Sequence, residues 1–320
     1  MPTKCFCSPR VRALRRRGDR RTIEEYRKYL TPSVIARLSN MEIVARLVVE
    51  GFITGLHKSP YHGFSVEFAE HRQYMPGDEI RHIDWKIYGK TDRYFIKQFE
   101  EETNLKATII LDASSSMGYA SEKAITKLAY GSYLAAALSY LMIQQRDAVG
   151  LAVFDEKIRS YLPPRSTHSY LQQLLKELTA IAPGNKTNTA PSLHEIADRI
   201  KRRGLVIVIS DLFDDPNAVM VALKHFRHTK NEVIVMHVLD PLERSFAFGN
   251  DAVFKDMETG AQIMTHPWHI QRSYQTAMRQ FLDRYRSECR EHNIDYVLLD
   301  TTTPFDSALT EYLSKRQRIH

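Results

Sequence analysis

After Lys106 the chain alternates short, continuously aliphatic runs with longer stretches in which apolar residues recur every three or four positions. The runs "ATIILDA", "AVGLAVFDE", "GLVIVISD", "NEVIVMHVLD" and "IDYVLLDT" read as strands. Between them, Glu122 to Gln145, "HSYLQQLLKELTAI", "NTAPSLHEIADRIKRR", "NAVMVALKHF" and Ile270 to Glu291 carry helical periodicity, and a last helix is expected near Asp306 to Leu313. Strands with no polar alternation are buried on both faces, so amphipathic helices must cover both sides of a mostly parallel sheet. The expected fold is a doubly wound α/β domain over residues 105–320. Ser245 to Pro267 interrupts it as a β-hairpin excursion, with a turn at Glu258, Thr259 and Gly260.

Upstream the pattern changes twice. "IEEYRKYLTPSVIARL" and "MEIVARLVVEGFI" are helical patterns that part near Ser39 and Asn40. Residues 55–104 then alternate apolar and polar positions, with turns at Pro76-Gly77-Asp78 and Gly89-Lys90, which predicts a small β-rich attachment. One helical turn is expected from Asp78 to Trp85. Asp78, Arg81 and Asp84 would share a face there as an ion-pair network anchored by a buried Trp85, with Tyr74 and Trp85 tying the attachment to the main domain. The division expected is therefore a disordered basic arm at 1–22, helices and β-rich attachment at 23–104, and the α/β domain at 105–320.

Charge adds one distinction. The formal net charge is +7, and residues 1–30 hold ten Lys/Arg against three acids, so the whole excess lies in that arm and the remainder is neutral. A basic tail of this kind is a solvated segment, and a nucleic-acid function for the folded body is not expected. The longest apolar run, Tyr133 to Ile143, is about half of what a bilayer span needs. No apolar signal segment follows the basic N-terminus, so no membrane span and a cytoplasmic location are expected. Cys5, Cys7 and Cys289 lack metal-site spacing and read as reduced thiols.

In open parallel sheets, sites gather at the carboxyl ends of the strands. Asp112, Asp155, Asp211, Asp240 and Asp300 occupy such ends, whereas Glu100, Glu101, Glu102 and Asp147 lie at the opposite end. The stretch "IILDASSSMG" leaves three readings open: a helix cap, a nucleophile or part of a metal site. Serines before a helix are usually N-caps, which is the plain reading of Ser115 and Ser116. Alternatively Asp112, Ser114 and Ser116 offer three hard oxygens to Mg²⁺. Further oxygens could come from Thr187 or Thr189 in "PGNKTNT" and from Asp211.

The combination of "DASSS", a loop threonine and Asp211 resembles the metal-ion-dependent adhesion site of von Willebrand factor A domains. A narrower resemblance is carried by "EFAEHRQYMPGDEIRHIDWKIYGKTDRYFIKQFEEETN" running into "DASSSM", and by the ending "IDYVLLDTTTPFDSALTEYL". These are similar to the bacterial domain-of-unknown-function-58 family, over roughly residues 30–315. The resemblance implies a von Willebrand factor A-like sheet holding Mg²⁺ (or Mn²⁺) on Asp112, Ser114, Ser116, Thr187 and Asp211, with Thr187 preferred to Thr189 and Asp211 acting through water. The second loop reads "GNKTN", which places Lys186 beside the site. It further implies metal-dependent protein binding, with a MoxR-type AAA+ ATPase or another protein supplying an acidic ligand as partner.

Enzyme readings are weaker. Haloacid-dehalogenase-like phosphatases need a second aspartate where this chain has Ser114. There is no G-x-S-x-G elbow to pair with His194 or His237, and no P-loop. A Mg²⁺-dependent phosphoesterase or nuclease-like hydrolase is the alternative, because one hard cation can polarise a phosphate. His225 with His228, and His266 with His269, find no Cys or acid to complete a metal site and read as surface or half-buried histidines.

Overall fold

The structure is a computed structural model, and it describes residues 32, 40–57, 71–74, 85–97, 105–121, 124–184, 189–200, 203–248, 252–255 and 262–319. Its centre is a six-stranded sheet in the order β10-β7-β6-β3-β4-β5. The strands are β3 (Lys106–Asp112), β4 (Ala148–Phe154), β5 (Ile158–Arg165), β6 (Leu205–Ser210), β7 (Glu232–Leu239) and β10 (Asp295–Asp300). All neighbours pair in parallel except β4 and β5. The mixed, mostly parallel sheet flanked by helices agrees with the hydrophobic pattern.

β5 is the exception to that reading. "IRSYLPPR" contains two prolines and no aliphatic run, and the hydrophobic pattern assigns it no element, yet it pairs antiparallel along the sheet edge. Proline lacks an N–H and is tolerated only where that side of the strand needs no ladder partner. The register shifts near Gly150, where an added Cβ would stand 2.6 Å from the Leu162 carbonyl oxygen and 2.8 Å from the Pro164 nitrogen. Only glycine permits so close an approach of β5.

Helices cover both faces. On one side lie α1 (Met41–His57), α3 (Lys127–Gln144), α4 (His168–Ala180) and α9 (Asp306–Ile319), and their apolar residues join Ile109 and Leu111 in one core. Val44, Ala45, Val48 and Val49 of α1 belong to that core, so it draws on residues from both sides of position 105. On the other side α5 (Thr189–Arg199), α6 (Pro216–His228) and α8 (Pro267–Glu291) pack on Ile110, Val206 and Val208. Successive β3 residues therefore feed opposite cores, and each buried Ile or Leu contributes roughly 1.5–3 kcal/mol.

Two short helices complete the set: α2 (Trp85–Thr91) and α7 (Pro241–Ser245), the second ending at Ser245, where the hairpin excursion was expected to begin. The hairpin itself is β8 (Ala252–Lys255) against β9 (Gln262–Thr265); its turn residues, Glu258 to Gly260, lie outside the described residues. In the attachment, β1 (His71–Gln73) pairs antiparallel with β2 (Phe95–Lys97). Trp85 is not buried but 59% exposed. Its ring meets Tyr88 edge-on, Tyr88 stacks on Tyr94, and Tyr94 meets Tyr74, so the aromatics pack on one another. Asp78, Arg81 and Asp84 lie outside the described residues, as does the basic arm. Among the described residues no helix is long and apolar enough to cross a membrane.

Candidate metal centre

The order of strands sets the site. From β3 the chain proceeds to β4 and β5 on one side, then returns to β6 on the other. The switch point therefore falls between the carboxyl ends of β3 and β6, where open sheets form a crevice. Asp112 ends β3, Ser210 ends β6, and Asp211 follows it directly.

Both loops are fixed by their own side chains. Asp112 Oδ1 accepts the Ser114 N–H at 2.9 Å, and its Oδ2 accepts the Ser210 hydroxyl at 2.6 Å. The chain then turns through a 3₁₀ segment, Ser116–Gly118, before α3 begins at Lys127. Ser115 occupies the cap position of that segment without making a side-chain cap bond, and Thr126 caps α3 by accepting the Ala129 N–H at 3.1 Å. The serines thus do not cap the long helix, which also starts later than Glu122. Ser114 Oγ and Ser116 Oγ stand 3.1 Å apart. Opposite, Leu212 adopts φ 53°, a left-handed conformation that costs a non-glycine residue about 1–2 kcal/mol. The turn is held by Leu212 N–H to Ser210 Oγ, Phe213 N–H to Asp211 Oδ1 and Asp214 N–H to the Leu212 carbonyl.

The electrostatics are dominated by buried carboxylates. Asp112, Asp211 and Asp240 are fully buried, and Glu243 lies beside them. Lys127, also fully buried, donates to Asp211 Oδ2 at 2.8 Å and to Glu243 Oε1 at 2.7 Å. Burial alone would lower the Lys127 ammonium, but the charges of Asp211 and Glu243 outweigh it and hold it above its ordinary value. Burial raises Glu243 despite the pull of Lys127. Burial first, and then the charge of Asp211, push the Asp112 carboxyl up to about 7. Asp240 accepts the N–H and hydroxyl of Ser121, both at 2.9 Å, and forms a capping box with Glu243 at the start of α7. His237 is buried with Nδ1 2.7 Å from the Tyr296 hydroxyl, and burial lowers it to about 4, so it is neutral and no ready base.

Of the five expected ligands, Asp112, Ser114, Ser116 and Asp211 meet at the strand ends, with Asp211 held by Lys127. Thr187 and Lys186 lie outside the described residues. Thr189, the second choice, opens α5; it is buried, its N–H donates to Asp214 Oδ2 at 2.9 Å, and its Oγ1 has no hydrogen-bond partner among the described residues. Lys127, Glu243 and Ser210 were not anticipated, and Asp240 was placed only as a strand-end acid. The available signal was a lone lysine opening "KLAYGSYLAAALSYL", an otherwise apolar helix. Among the described residues no three His, Cys, Asp or Glu side chains form a group that could hold a metal, so any ion here depends on hydroxyl oxygens.

This is an α/β protein with a buried carboxylate–hydroxyl cluster at the switch point of its sheet. The family described as "Protein of unknown function DUF58" matches residues 70–284, and the chain belongs to that family. Uncharacterized proteins of Mycobacterium tuberculosis and Mycobacterium bovis are each 26% identical over 235 residues, covering 72% of this chain and 72% of their own. Among solved structures, the conserved hypothetical protein BatB from Bacteroides thetaiotaomicron is similar with a TM-score of 0.47 and 20% identity, over 67% of this chain and 99% of that one. An aerotolerance-related membrane protein from Bacteroides fragilis gives 0.46 and 20% over 66% and 99%.

Proposed function

We propose that the chain is a metal-dependent protein-binding module of the von Willebrand factor A type, with Asp112, Ser114 and Ser116 as the first metal loop. The observation that carries this reading is the 3.1 Å separation of the Ser114 and Ser116 hydroxyl oxygens beside a buried carboxylate. Two ligands on adjacent corners of a Mg²⁺ octahedron, each about 2.1 Å from the ion, stand about 3.0 Å apart. The cluster also favours a cation on charge: the Lys127 ammonium is shared by Asp211 and Glu243, while Asp112 and Asp240 are buried beside them. Mg²⁺ or Mn²⁺ would be held by Asp112, Ser114 and Ser116, with Thr187 or Thr189 from the second loop. Asp211 would act through water, because Lys127 occupies its Oδ2.

Bound there, the ion would supply an electrophilic position that a partner's Asp or Glu can fill, giving a geometrically exacting contact. The family resemblance points to a MoxR-type AAA+ ATPase as that partner, with this chain as its adaptor in the cytoplasm. Calorimetric titration with Mg²⁺ or Mn²⁺ tests the site: one ion binds the wild-type chain and none binds Asp112→Ala. Equal binding by both would end the assignment. Capture of an AAA+ ATPase that is released by EDTA supports the adaptor role, whereas metal-dependent turnover of a phosphoester would replace it with a hydrolase.

A further inference from the structure

His225, three residues before His228 on α6, also faces α5. His194 Nδ1 and His225 Nδ1 are 3.1 Å apart, with ring centroids 5.3 Å apart and planes tilted by 42°. Both rings are half-buried between α5 and α6, above the buried Leu193, Ala197, Ala222 and Phe226. On the far side of the His225 ring, Asp198 Oδ1 lies 3.6 Å from Nε2. Asp198 follows His194 by one helical turn, so one face of α5 supplies both a facing imidazole and a carboxylate behind its partner.

A contact of 3.1 Å between the two Nδ1 atoms needs one imidazole to donate and the other to accept. The Asp198 carboxylate, at 3.6 Å, is beyond hydrogen-bond reach of Nε2 and adds only negative charge behind the ring. For a metal to replace that hydrogen bond, both rings carry their proton on Nε2. The pair then presents two lone pairs to one point, and a neutral pair binds a cation without net proton release.

We propose that His194 and His225 form a two-histidine site for a zinc-class transition-metal ion, clamping α5 to α6. Two imidazole nitrogens about 2.0–2.1 Å from a tetrahedral zinc stand about 3.3–3.4 Å apart, so the observed gap opens by only a few tenths of an ångström. Imidazole selects Zn²⁺, Ni²⁺ or Cu²⁺ over Mg²⁺, so this site and the Asp112 cluster take different ions. Glu195 on the same helix is paired with Arg199 at 2.6 Å, which leaves water to complete the coordination. The site shares no residue with the Asp112 cluster and does not rest on the function proposed above.

Calorimetry of the full chain with ZnCl₂ tests it. Zinc binds wild type and Asp112→Ala alike, and at least tenfold more weakly to His194→Gln and His225→Gln, whose Mg²⁺ response is unchanged. Zinc binding that survives at full strength in both glutamine variants overturns the site. So does zinc binding lost in Asp112→Ala, which would assign the ion to the carboxylates. In ¹⁵N spectra of the unmodified protein, zinc shifts Nδ1 of His194 and His225. Shifts confined to other histidines overturn the proposal even if a variant fails to fold.

Discussion

A lysine with no exposed surface between two carboxylates is the most consequential side chain of this molecule. Lys127 joins the start of α3 to the end of β6 and to α7. Removing one partner of a buried pair leaves uncompensated charge, and such losses cost about 3–5 kcal/mol. Lys127→Met should therefore lower stability by about that amount in urea denaturation, and Mg²⁺ should restore part of it. A variant as stable as wild type would show that the pair contributes nothing net. Asp112 gives a pH signature. Its folded carboxyl is raised to about 7, so the folded state binds this proton more tightly than the unfolded chain does. That stabilisation is complete below about 4 and is lost as pH rises through about 7. Without divalent cations, Asp112→Asn should remove this part of the decline, measured as the difference between the two melting-temperature profiles over that range.

At the scale of elements, Gly150 lets the antiparallel β5 lie against β4. Gly150→Ala would drive a Cβ into the backbone at Leu162 and Pro164. Overpacking of this kind costs about 1–3 kcal/mol, which a thermal melt would register. Elements with a strong period were legible in the sequence: five aliphatic runs became parallel strands because burial on both faces demands continuous hydrophobicity. β5 was not legible, since an edge strand needs neither an aliphatic run nor every N–H. Asp112, Ser114 and Ser116 could be placed because strand ends are predictable. Lys127 could not, because its partners lie 84 and 116 residues away and only the fold brings them together. The His194–His225 contact is of the same kind, joining helices separated by a strand. Trp85 misled because a large aromatic is normally an anchor, whereas here it packs on Tyr88 and stays exposed.

For the whole molecule, the net charge is concentrated at one end of the sequence. Residues 1–28 contain all ten basic residues of the N-terminal arm and its three acids, so deleting them removes the entire net charge of +7. Retention on nucleic acid at low salt should fall to near baseline in that deletion, judged by binding to a heparin or DNA column. Undiminished retention would instead locate a binding surface on the folded body.

The prolines of β5 bear on how this chain can assemble. Pro163 and Pro164 remove two N–H donors from the outermost strand, and Arg159 and Arg165 place charge along it. A strand edge so interrupted is a poor template for an incoming strand from a second molecule, which guards against fibre growth at this border. A partner that meets this border does so mainly through side chains rather than through a continued ladder.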